Sequence, residues 1–163
     1  MFKNIIIKNF RGITELAVGD FRRVNLLVGK NNCGKTSVLE ALFLASAPTN
    51  PELPLRINHY RGFGIAEDVQ PWHLFFNKLN TSNTIEIGVE LQKHQERREL
   101  AIVPVVKPAL SSSTDTPGLI YSGATATTAG VRLEASFSTK GKKAGKQKIV
   151  TEAVQSEIGR AHV

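Results

Sequence analysis

At 163 residues with an ordinary apolar share, the chain has room for one globular domain with a real core. One cysteine excludes an internal disulfide framework, four scattered histidines show no metal-ligand spacing, and no stretch is long and apolar enough to span a bilayer, so the sequence predicts a soluble cytoplasmic protein without a membrane partner. The formal charge of +7 favours anionic partners, either nucleotide or nucleic acid.

In chain order, residues 2–9 are rich in isoleucine and alternate imperfectly, which predicts a strand. Arg11-Gly12 makes a turn, and residues 15–18 can pair back as a short second strand. Residues 24–28, Val-Asn-Leu-Leu-Val, are short, apolar and β-prone, as a buried third strand should be. From residue 35 to 46, Val38, Leu39, Ala41, Leu42, Leu44 and Ala45 recur at helical spacing, and Pro48 closes that helix.

Proline, asparagine and glycine are then frequent over residues 48–64, which predicts a loop or insertion. A short helix is expected around Trp72-His73-Leu74-Phe75-Phe76. Residues 84–91 alternate cleanly, with Ile85, Ile87, Val89 and Leu91 on one face. Residues 98–106 are a further strand candidate. The Ser/Thr/Gly/Ala-rich stretch 108–130 is expected to be a long flexible loop. Residues 131–138 and 147–154 are expected to pair around a lysine-rich turn at 140–146, so the second half should consist of antiparallel hairpins.

The run Gly29-Lys30-Asn31-Asn32-Cys33-Gly34-Lys35-Thr36 fits G-x-x-x-x-G-K-[ST], the phosphate-binding P-loop, between a strand-like and a helix-like segment. Its glycines let the backbone curl so that N–H groups meet a polyphosphate. The following helix aims its unpaired N–H groups and positive dipole end at the same anion. Lys35 would reach the β- and γ-phosphates, and the Thr36 hydroxyl would hold Mg²⁺.

Together with "NFRGI" at residues 9–13, the "VGKNNxGKTS" loop and the following Val38-Leu39-Glu40-Ala41-Leu42, the first stretch resembles the opening of ABC-type ATPase heads. The closest branch in character is the RecF, SMC and OLD-nuclease group, often called AAA family ATPases. Arg61-Gly62 and the "PWHLFFN" of residues 71–77 resemble an insertion of the OLD-like branch; beyond about residue 100 no resemblance is visible.

The resemblance implies an α/β fold, a P-loop NTPase lobe with a mixed or antiparallel β-rich half, incomplete in this chain. It implies ATP and Mg²⁺ as ligands. Gly29, Lys30, Asn31, Asn32, Cys33, Gly34, Lys35, Thr36 and Ser37 would form the nucleotide site, with Lys35 catalytic and Thr36 on the metal. Arg11 and Gly12 sit where such heads pass close to the nucleotide; a surface arginine in a β-turn is the simpler alternative. Cys33 stands where a small Ser or Gly is more usual, and a thiol there is either reactive or merely tolerated.

Such a head also needs a strand ending in acidic residues and a serine-glycine signature loop, and the sequence offers neither. Glu86 and Glu90 do not close an apolar run, and Asp68 and Asp115 stand in loops. Asp115-Thr116-Pro117-Gly118 reads as a turn, and Gly141 to Lys146 lacks the spacing of a second P-loop. The ending Ile158-Gly159-Arg160-Ala161-His162-Val163 has the form of a translated sequencing-library adapter. The expectation is therefore that residues 1–157 are the N-terminal part of one ATPase domain, with an insertion at about 47–83 and a non-native tail at 158–163.

The intact protein would then sandwich ATP between two heads of a homodimer and couple hydrolysis to DNA repair, maintenance or anti-phage defence. Two alternatives stand beside this. One is a non-catalytic basic nucleic-acid-binding module using lysines 140–148. The other is an ABC transporter nucleotide-binding subunit, with Phe10 or Phe21 as an adenine platform.

Overall fold

The computed structural model describes residues 1–62, 72–92, 96–107, 127–139 and 147–154. Six strands form one sheet: β1 (Phe2–Phe10), β2 (Ile13–Val18), β3 (Ile85–Leu91), β4 (Glu96–Lys107), β5 (Thr127–Thr139) and β6 (Gln147–Val154). Their spatial order is β2-β1-β3-β4-β5-β6, and every neighbouring pair is antiparallel. The antiparallel half expected from the sequence is therefore present, and no parallel pair occurs among the described residues.

Alternation fixes the register. Ile7 pairs with Ile87, Ile87 with Leu100 and Leu100 with Ala135, so one row of apolar side chains crosses four strands on one face. All four are almost fully buried. Helix α1 (Lys35–Ser46) lies on that face against β1, β3 and β4, burying Val38, Ala41, Leu44 and Ala45. The last turn of α1 holds no basic residue of its own; Arg98 of β4 supplies one, donating through Nη1 to the Ser46 carbonyl at 2.9 Å.

The opposite face is charged and solvated. Lys8 pairs with Glu86 and Lys148 with Glu134 across the strands, and Arg97 with Glu99 along β4.

Four differences from the sequence expectations stand out. Residues 24–28 form no strand: Val24, Leu26 and Val28 are 87, 83 and 82 % exposed, and only Leu27 packs on the core. A strand exists through its partner's hydrogen bonds, and no described strand pairs with this segment. Second, the expected loop at 48–64 contains helix α2 (Glu52–Tyr60). Its prolines misled the reading: Pro51 caps the helix and Pro54 sits in the first turn, where a missing N–H costs no intrahelical bond.

Third, β5 begins at Thr127, inside the loop expected over 108–130; residues 108–126 of that loop lie outside the described residues. Fourth, β4 extends two residues before and one beyond the expected 98–106. The lysine-rich turn at 140–146, Asp68, Asp115 and the tail at 158–163 also lie outside the described residues.

Candidate functional site

The glycine loop joins residues 24–28 to α1. Gly34 caps the helix at φ +90, and Asn32 has φ +63, so the chain turns sharply at both positions. A Cβ on Gly29 would lie 2.6 Å from Cys33 Sγ, so that thiol would have to shift to admit one, and φ +158 there is one that side-chain-bearing residues rarely adopt. The Lys35 ammonium curls back into this ring. It donates to the carbonyls of Gly29 and Lys30 at 2.8 Å each and lies 3.7 Å from Cys33 Sγ.

The first α1 hydrogen bond runs from Val38 N–H to the Gly34 carbonyl at 3.0 Å. The amides of Lys35, Thr36 and Ser37 therefore precede the intrahelical ladder, and no side chain caps them. Thr36 is exposed while Ser37 is buried.

Beside the loop lies a cleft of about 460 Å³. Asn32, Cys33, Gly34 and Ser37 line one wall, and Arg11 and Gly12 of the β1–β2 turn join them. Leu74, Phe76 and Leu79 add apolar lining, and Arg61 and Lys78 add cations. The structure thus brings Arg11 and Gly12 to the same cleft as part of the loop. Lys30, Asn31, Lys35 and Thr36 sit on the adjoining loop and helix start rather than in the cleft lining.

Arg11 is no surface arginine. Its side chain is only 8 % exposed; Nε donates to Glu40 at 2.6 Å and Nη1 to the Leu74 carbonyl at 3.2 Å. Its guanidinium stacks 4.7 Å from the Phe75 ring centroid. Burial pulls its pKa below the ordinary guanidinium value; Glu40 opposes that shift, and the nearby charge of Arg61 adds to it. These contacts hold Arg11 at φ +51, a conformation unusual for a side-chain-bearing residue.

Four residues of this neighbourhood have no role that the sequence assigns. Glu40 stands one turn beyond Thr36 on α1 and binds both Arg11 and Arg61. Asn77 is buried and donates to the Arg11 carbonyl at 2.7 Å. Lys78 and the following Leu79 adopt φ +53 and +59 at the cleft edge. The only hint was the run 71–77, of which residues 72–77 dock on the turn: Arg11 N–H donates to the Phe75 carbonyl at 2.7 Å, and Phe76 bridges to Phe10.

Phe10 and Phe21 cannot serve as an adenine platform, being 0 and 7 % exposed in the core. Among the described residues no cluster of three or more His, Cys, Asp or Glu could hold a metal, and no helix is long and apolar enough to cross a membrane.

Residues 1–160 match the family described as AAA ATPase domain. The chain is 33 % identical over 89 residues to the DNA replication and repair protein RecF of Haemophilus influenzae, covering 50 % of this chain and 25 % of that protein. It is 28 % identical over 114 residues to RecF of Francisella tularensis subsp. novicida, covering 64 % and 33 %. An uncharacterised protein of Methanocaldococcus jannaschii is 52 % identical over 44 residues, covering 27 % of this chain and 20 % of its own length. The matched region thus spans between a fifth and a third of these relatives.

Proposed function

Since the chain belongs to the AAA ATPase domain family, we propose that residues 29–37 are an ATP-binding loop and that the intact protein hydrolyses ATP. The observation that carries this is the Lys35 ammonium held inside the loop by the Gly29 and Lys30 carbonyls, next to the uncapped start of α1. A cation and a helix N-terminus converge where a polyphosphate would sit.

The donor set suits ATP and Mg²⁺. Gly29 keeps the backbone free of a side chain at its tightest approach, and the exposed Thr36 hydroxyl is available to a hard cation. When bound, Mg²⁺ would stabilise charge on the phosphate oxygens. Lys35 would exchange its loop carbonyls for phosphate oxygens, and the Lys35–Ser37 amides would donate to the same group. The choice of ATP over GTP rests on the family.

Residues 1–157 are read as the N-terminal part of one ATPase domain. The exposed apolar residues Val24, Leu26 and Val28 then mark where a strand of the rest of that domain would pair. Two heads closing on ATP in a homodimer would complete the site, and the RecF relatives favour work on DNA. A basic nucleic-acid module draws less support, because Lys3, Lys8, Arg97, Arg132 and Lys148 are each paired with a glutamate.

Calorimetric titration of the full chain with MgATP tests the proposal. Lys35→Ala is expected to weaken binding sharply, and Thr36→Ala to remove its Mg²⁺ dependence. Unchanged affinity in Lys35→Ala would refute the loop assignment.

A further inference from the structure

We propose that Arg61, outside the glycine loop, is a second phosphate-contacting cation of this cleft, and that Glu40 is the positioning residue that holds it there. The inference rests on the ATP-binding assignment of the loop and extends it to a second residue lining the same cleft.

Two guanidiniums converge on one carboxylate. Arg11 Nε donates to Glu40 Oε2 at 2.6 Å, and Arg61 Nε donates to Glu40 Oε1 at 2.7 Å. The trio carries one excess positive charge, and the two arginines repel: Arg61 lowers the pKa of Arg11. Such a cluster is complementary to one more anion. Its donors are also unspent. Arg11 Nη2 is buried without a hydrogen-bond partner, on a side chain more than nine-tenths buried. Arg61 is a third exposed at the cleft, so its guanidinium edge is the accessible one.

The surroundings agree. Lys78 adds another cation, and among the described residues no acidic side chain lines the cleft. Lys78 has a strained backbone at φ +53. Arg61 itself is fixed before any ligand arrives. Its N–H closes α2 onto the Ile57 and Asn58 carbonyls, and Gly62 turns away at φ +78. Glu40 ties this end of α2 to α1 four residues beyond Thr36, on the same helix face. An anion in this cleft would therefore meet both the loop residues Asn32 to Gly34 and Arg61, whose helices Glu40 connects.

The test compares MgATP affinity of the full chain at low and high salt in wild type, Arg61→Ala, Arg61→Lys, Glu40→Gln and Lys35→Ala, with a denaturation midpoint for each. Arg61→Ala should weaken binding about tenfold and flatten its salt dependence, with the midpoint nearly unchanged. Arg61→Lys should recover part of the loss. Glu40→Gln should weaken binding although Arg61 is retained; should that variant fold poorly, the Arg61 variants alone decide. Wild-type affinity and salt dependence in Arg61→Ala, alongside lost binding in Lys35→Ala, would overturn this proposal and leave the loop assignment intact. Wild-type affinity in Lys35→Ala would remove both.

Discussion

Asn77 reaches back 66 residues to hold the β1–β2 turn, donating its side-chain amide to the Arg11 carbonyl at 2.7 Å, while its oxygen lies 3.4 Å from the Thr14 hydroxyl. The turn that carries Arg11 is thus shaped from outside its own hairpin. Asn77→Ala leaves the Arg11 carbonyl without this donor and should cost about 1–3 kcal/mol. Asn77→Asp should cost more, since an ionised carboxylate cannot donate to that carbonyl. Urea unfolding followed by circular dichroism measures both.

Gly29→Ala is expected to weaken MgATP binding at least about tenfold, because a Cβ there meets Cys33 Sγ at 2.6 Å and the thiol or the loop must shift to admit it. Adding Cys33→Gly removes that sulfur and should restore part of the affinity. Recovery stays incomplete, since φ at position 29 still suits glycine. The calorimetric ratio between single and double variants separates contact from backbone strain.

Trp72 is 1 % exposed and its Nε1 has no hydrogen-bond partner among the described residues. Trp72→Ala should destabilise by about 3–5 kcal/mol through the cavity it leaves. Trp72→Phe should cost less than half as much, since it keeps the contact with Phe75 and removes an unpaired buried N–H. Equal costs in chemical denaturation would mean that the indole N–H is satisfied.

Glu134 sits below the ordinary carboxylate range, chiefly because Lys148 donates a hydrogen bond to it across β5 and β6. A carboxyl group with a lowered folded pKa favours the folded state above its unfolded pKa. That contribution fades as pH falls through the lowered folded value. Lys148→Met should return the Glu134 pKa toward its ordinary value, as read from a carboxyl-carbon NMR titration. An unmoved titration would show that Lys148 is not the cause.

Periodicity made several elements legible. The strands β1 and β3, the 131–138 part of β5, and helix α1 follow from alternation or 3.6-residue spacing, since each buries one face against the same core. Helix α2 was hidden because Pro51 and Pro54 count as breakers wherever their place in a helix is unknown. Residues 24–28 misled in the opposite direction. Their composition suits a strand, yet strand pairing depends on a neighbour that composition does not encode.

By itself the sequence determined the glycine loop, its lysine and threonine, and the helix that follows, because a loop of this pattern and the helix start beside it are built from consecutive residues. Only the tertiary structure decided that Arg11 is a buried strut, that Glu40 joins it to Arg61, and that Asn77 fixes the turn. Those partners lie 21 to 66 residues apart. A single charged or amide side chain met along the chain has no period to betray it. Its partner is chosen when the sheet and helices pack, and the cost of leaving it buried alone enforces that choice.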